Sequence, residues 1–213
     1  MSLVIALAAS REAVIGADRR AIVFLGPCPK LEEELYCGQI ENDQELADRA
    51  RELGATLQIS DGREKIWRRG DLLVGEVTEI SAKLSRSRRI YLTPGASLQV
   101  DITRGKDARA EDAGAKGAGG EARIRAWDGV GCTVFGNRFT QKLAYEEVGL
   151  AGGRVSEALI KSILEKAGNE TASVSRENTV LRSDSRQSDP KAALLVALEE
   201  DCKESSWRLC APQ

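Results

Sequence analysis

The chain has 213 residues, 42% apolar and 30% charged, with 31 Lys+Arg against 33 Asp+Glu and a formal charge of −2. That is enough apolar material for one sizeable core, and the near-neutral balance argues against the basic face of a dedicated nucleic-acid or membrane-surface protein. The sequence holds no histidine, which excludes Ser-His-Asp and Cys-His nucleophile systems, His-ligated zinc and His acid–base chemistry.

The opening Met1-Ser2-Leu3-Val4-Ile5-Ala6-Leu7-Ala8-Ala9 is apolar but has no basic start and breaks at Arg11-Glu12, unlike a secretory signal. Residues 3–9, 13–17 and 21–25 are short apolar runs that read as buried strands, the first two joined by a connection of hairpin length. After Gly26-Pro27-Cys28-Pro29 the period changes. Residues 30–37 and 43–53 are expected as helices, the second capped by Asn42 or Asp43 and followed by Gly54.

Strands are expected at 55–60, 64–68, 72–77, 88–93 and 97–103, with turns at Asp61-Gly62 and Pro94-Gly95. Residues 104–121 are rich in Gly, Ala and charge, poor in large apolar side chains, and read as a mobile loop. Two further strands are expected at 122–128 and 130–135, then helices at 138–148 and about 154–167, with Gly168 beyond the second. A strand at 178–182 precedes a last helix capped by Asp189 with Pro190 in its first turn. Trp67 and Trp127 are expected in the core, and Arg68, Arg69, Arg86, Arg88 and Arg89 on a solvated strand edge, the alternative being a basic patch that grips an acidic peptide. Strand groups and helix groups alternate in blocks, which indicates an α+β fold with sheets inside and helices outside.

Five cysteines, none in CxxC spacing, read as structural thiols of a reduced, cytoplasmic protein. No cofactor and no metal is expected, and no apolar run is long enough to span a membrane.

One nucleophile arrangement needs no histidine. Ser2 follows the initiator Met, and removal of Met1 would leave a hydroxyl and a free α-amine on one residue. That amine, with a pKa of about 7.7–8.0, can take the hydroxyl proton and serve as general base. The surroundings bear on it. Ser2 opens a strand, a hairpin follows, and Asp18 stands seventeenth when Ser2 is counted first.

The segment from Ser2 to Phe24 resembles the start of a β-type proteasome chain. Glu64-Lys65-Ile66-Trp67 is similar to that family's active-site-lysine strand, and Gly136-Asn137 to the Gly-Ser corner beside its nucleophile. The spacing from Asp18 to Lys65 is longer, and the surplus matches the two expected helices. With them the runs KLEEELYCGQIENDQELADRARELG, DGREKIWRRGDLLVGEV, RRIYLTPGA and VFGNRFTQKLA resemble the archaeal proteasome-homologue family of methanogens whose named members are the connectases.

The resemblance implies a four-layer αββα sandwich of the N-terminal-nucleophile type in a single domain, 1–213. It carries a helical insert at about 29–54, a β insert at about 88–135 and the loop 104–121. It implies that Ser2 forms an acyl-enzyme with a peptide and passes the acyl group to an amine. Lys65 and Asp18 would support the nucleophile, Asn137 would orient substrate or else simply cap the helix that follows it, and a backbone N–H within Val77–Glu79 would hold the oxyanion. Ser173 and Ser175 stand where relatives place assisting residues. The implied partner is a peptide or protein. The family's recognised one is the A-type component of tetrahydromethanopterin S-methyltransferase, through a Lys-Asp-Pro-Gly-Ala motif. The length leaves no room for the C-terminal domain that some members add. The alternatives are a non-catalytic peptide-binding scaffold, or an amidohydrolase or protease of the same fold.

Overall fold

The computed structural model describes residues 3–80, 84–105, 120–152, 154 and 156–210. Strands β1 (Val4–Ala8) and β2 (Ala13–Asp18) are buried at every position and pair antiparallel. They form the middle of a four-stranded sheet with β10 (Gly131–Phe135) beside β1 and β11 (Asn178–Ser183) beside β2. Burial on both faces explains why neither strand alternates apolar with polar residues.

Each face of that sheet has its own partner. Leu3, Ile5, Leu7 and Val14 pack under α3 (Arg138–Leu150) and α4 (Glu157–Glu170), against Leu143, Ile160, Ile163 and Leu164. Val4, Ala6, Ala8, Ala13 and Ile15 pack the other way, onto Ile66, Leu73, Ile90 and Leu92 of a second sheet. That sheet has six strands: β5 (Ile66–Arg69), β6 (Leu72–Ile80), β7 (Leu84–Thr93), β8 (Ala96–Gly105), β9 (Gly120–Asp128) and β12 (Arg208–Cys210). Its order is β12-β9-β8-β7-β6-β5. The outer face, with Val74, Tyr91, Leu98, Val100 and Ile102, is covered by Leu194, Ala197 and Leu198 of α5 (Pro190–Glu204). Where the two sheets meet, Gly75 permits close approach, since a Cβ there would lie 2.7 Å from Ile15 Cδ1 and 3.0 Å from Val4 Cγ1.

The expected pair of helices forms α1 (Pro29–Tyr36) and α2 (Asp43–Glu52), the latter capped by Asn42, whose side chain accepts from Glu45 N–H. Their buried stripe of Leu31, Leu35 and Leu46 packs on Ile22 of a separate ribbon, β3 (Ala21–Phe24) with β4 (Leu57–Ser60). Residues 88–135 supply most of β7, then β8 and β9, all internal to the six-stranded sheet, and β10. Of the expected loop 104–121, residues 106–119 lie outside the described residues, while its ends belong to β8 and β9.

Several expectations are corrected. Helix α4 begins after the Ser156 cap and runs to Glu170, so Gly168 lies inside it. A Cβ there would sit 2.9 Å from the Ser175 carbonyl oxygen, so close backbone approach, not helix termination, explains the glycine. Strand β7 is interior, so Arg86, Arg88 and Arg89 are not on a strand edge; only Arg68 and Arg69 are, on β5. Arg89 is buried, and its guanidinium is held by Glu76 and Asp201 and stacked on Trp67 and Trp207. Trp127 is 36% exposed, near the end of β9 and outside the cluster beneath α5, although its cross-strand partner Leu98 lies within it. Strand β12, short and parallel to β9, is a further difference.

Candidate active site

Asp18 is the last residue of β2 and is fully buried. Four donors converge on its carboxylate. Oδ1 accepts from Leu3 N–H at 2.7 Å and from the Lys65 ammonium at 2.7 Å. Oδ2 accepts from Arg20 N–H at 2.8 Å and Ser175 N–H at 3.3 Å. A buried carboxylate must be paired and hydrogen-bonded to remain an anion, and this one is supplied from the β1 start, the β2–β3 connection, the β4–β5 connection and the loop before β11. The Leu3 carbonyl in turn accepts from Asp18 N–H at 3.2 Å, so both backbone groups of Leu3 are held by Asp18.

Lys65 lies just ahead of β5 and is 3% exposed. Burial pushes its ammonium below the ordinary lysine value of 10.5, and the adjacent Asp18 carboxylate opposes that shift. Its carbonyl accepts from Glu76 N–H at 2.8 Å. Ladder parity follows: Glu76 faces β5, Val77 faces β7, and Thr78 faces the β5 side again, past the end of that strand. Within Val77–Glu79, the backbone N–H of Thr78 is therefore the one directed out of the ladder beyond Lys65.

Asn137 caps α3: its Oδ1 accepts from Thr140 N–H at 2.8 Å, and its Nδ2 donates to Ser173 Oγ at 2.9 Å. Both ends of the amide are thus engaged within the protein. Its position is nevertheless at the right strand end, since Phe135 pairs with Val4 across β10 and β1. Ser173 also accepts from Thr171 Oγ1 at 3.1 Å, and Ser175 Oγ accepts from Glu177 N–H at 3.0 Å. Ser2 lies outside the described residues. Among the other sequence candidates, Asp18 and Lys65 are in direct contact and Ser175 joins them through its backbone, while Asn137 makes no hydrogen bond to either.

Arg20 adds a positioning role that sequence reasoning missed. Its buried guanidinium bonds Asp61 through Nε at 2.8 Å, Asp43 through Nη1 at 2.5 Å and the Ala172 carbonyl at 2.8 Å. It therefore ties the α2 start and the loop before β11 to the turn that leads to Lys65. The Asp61 carboxyl is held below its usual range, first by that hydrogen bond. The Asp-Arg-Arg run was the available signal, but nothing in it says which arginine turns inward.

The five cysteines are all unpaired, and burial pushes the Cys132 thiol up to about 11, so it is no ready nucleophile at neutral pH. Among the described residues no cluster of acidic and cysteine side chains is placed to hold a metal, and no helix is long and apolar enough to cross a membrane.

No curated protein sequence matches the chain. The family model described as Connectase MJ0548-like, N-terminal domain, matches residues 1–203. The chain therefore belongs to the connectase family, and that membership points to a connectase-like, enzymatic function.

Proposed function

We propose that this protein is an N-terminal-nucleophile peptide ligase or transpeptidase, with Ser2 exposed by removal of Met1. The observation that carries the reading is the shared Asp18 Oδ1: the same oxygen receives the N–H of the residue after Ser2 and the ammonium of Lys65. That fixes the origin of the nucleophile-bearing strand against a buried cation. The layering of helices, two facing sheets and a further helix also suits the four-layer sandwich of N-terminal-nucleophile enzymes.

In this scheme the neutral Ser2 amine takes the hydroxyl proton as Oγ attacks a peptide carbonyl. The Oγ–C bond forms, the amide C–N bond breaks, and the proton passes to the departing amine. A second amine then attacks the ester, the Oγ–C bond breaks, and Ser2 regains its proton. The Lys65 cation favours the neutral amine and the developing alkoxide, and Thr78 N–H is the oxyanion donor. The A-type component of tetrahydromethanopterin S-methyltransferase is the proposed partner and Lys-Asp-Pro-Gly-Ala the proposed peptide motif.

The test is product analysis with a peptide carrying that motif and a second peptide offering a free amine. A new amide joining the two is expected. Free acid alone would identify a protease or amidohydrolase, and an unchanged peptide would favour the non-catalytic scaffold.

A further inference from the structure

Strand β10 is the outermost strand of the four-stranded sheet on the β1 side. Its hydrogen-bonding parity can be read from β1. Leu3 exchanges hydrogen bonds on the β2 side, accepting from Asp18 N–H and donating to the Asp18 carboxylate. Ile5 and Leu7 follow it, so Val4, Ala6 and Ala8 face β10, where they pair with Phe135, Thr133 and Gly131. The backbone N–H and C=O groups of Cys132 and Val134 therefore point away from the sheet. Neither residue has another backbone or side-chain hydrogen-bond partner among the described residues. The next carbonyl of the same parity, Gly136, is taken by Gln141 Nε2 at 2.7 Å.

Beside this open edge runs a cavity of about 430 Å³, walled by β10 on one side and by Gln99 and Arg125 of the six-stranded sheet on the other, with Gln141 and Tyr145 of α3 along the flank. It meets a second cavity of about 480 Å³ on the uncovered face of β6–β9, and Arg88 and Arg125 line both. Arg125 is the extra residue of a bulge opposite Gln99/Val100, a device that re-aims side chains. The ion pairs of these arginines are loose, 3.7 Å from Arg88 to Glu79 and 3.8 Å from Arg125 to Asp101, with solvent access at both. Arg88 also stands over the Phe135 ring at 5.6 Å, at the end of β10 that pairs with Val4.

We infer that the edge of β10 binds an extended peptide as an added strand, with an acidic side chain directed to Arg88 and Arg125 and an apolar one, on the alternate face, to Tyr145. Added strands take affinity from main-chain bonds and specificity from alternate side chains. The outward groups of Cys132 and Val134 supply the first and the arginine junction the second. Phe135, at one end of the trench, pairs with Val4 at the start of β1, so a peptide lying along the outer side of β10 runs toward the strand end that precedes β1, with β10 between the two. In taking that peptide as substrate the inference rests on the function proposed above, although the binding site itself does not.

The experiment uses the full chain with Ser2→Ala, which removes the proposed chemistry but not the trench, titrated with a Lys-Asp-Pro-Gly-Ala peptide while amide resonances are followed. Shifts and exchange protection are expected at Cys132 and Val134. Arg125→Glu should weaken binding about tenfold, the loss of one charge-assisted contact, and a peptide with Lys in place of Asp should restore it. Cys132→Pro, which removes an outward N–H on an edge strand where proline is tolerated, should weaken both peptides. Shifts at β10 without any acyl transfer by the unsubstituted chain would uphold the site and overturn the ligase reading. Acyl transfer by the unsubstituted chain, with no shift at β10 and no effect of either substitution, would overturn the site and leave the ligase reading standing. Neither shifts nor transfer would overturn both.

Discussion

Lys65 Nζ lies 2.7 Å from Asp18 Oδ1 with both side chains out of water. Removing one partner of such a pair leaves an uncompensated buried charge, at a cost of about 3–5 kcal/mol. Asp18→Asn is therefore expected to lower unfolding free energy by about that much, measured by urea denaturation. Adding Lys65→Met should recover much of the stability, because the buried charge is gone, yet leave acyl transfer abolished. A double variant that recovered activity as well would mean that the pair only supports the fold.

The direction of the Lys65 shift sets a pH dependence. Burial lowers its folded-state value below 10.5, so in the window below 10.5 the unfolded chain binds more protons than the folded one. Stability from this group therefore rises with pH across that window. Activity runs the opposite way, since the proposed role needs the cation. The acyl-transfer rate is expected to decline at alkaline pH before an ordinary lysine would titrate, while stability does not decline with it. A pH series of rate and of denaturation midpoint on the same sample checks both.

Arg20 holds the helical insert to the site through Asp43, and its other partner Asp61 flanks the turn to Lys65. Arg20→Met should speed amide exchange in α1 and α2 without affecting α5, because Asp43 and Asp61 are exposed enough to take water instead. The loss is expected at about 1–3 kcal/mol, chiefly from the unsatisfied Ala172 carbonyl. Hydrogen exchange by peptide fragment distinguishes this local loosening from global unfolding.

Asp201 of α5 is nearly buried and meets Arg89, Arg69 and the Tyr91 hydroxyl. Burial raises the Tyr91 phenol above its usual value, so it stays a neutral donor across the physiological range. Asp201→Asn should cost about 1.5–3 kcal/mol, the worth of a charge-assisted hydrogen bond, with Glu76 still holding Arg89. Acyl transfer should not change below the melting transition, because this network lies on the outer face of the six-stranded sheet.

Most of the element order was legible because it rests on local signals. Asn42 and Asp189 announce α2 and α5, and the short apolar runs announce β1 and β2. Gly168 misled, because a glycine permits both helix termination and close packing, and only the neighbouring Ser175 carbonyl decides between them. The arginines of β7 misled because pairing partners, not composition, make a strand interior. At the site, the contact of Asp18 with Lys65 rested on resemblance, whereas the Arg20 anchor and the outward edge of β10 depend on residues far apart in the chain.

The most direct test is the intact mass of the purified protein before and after incubation with a Lys-Asp-Pro-Gly-Ala peptide. The account predicts a chain lacking Met1 that gains the mass of one acyl group on Ser2, with no gain in Ser2→Ala. A chain that retains Met1 and shows no gain, or a Ser2→Ala protein that still acquires the acyl group, would contradict it.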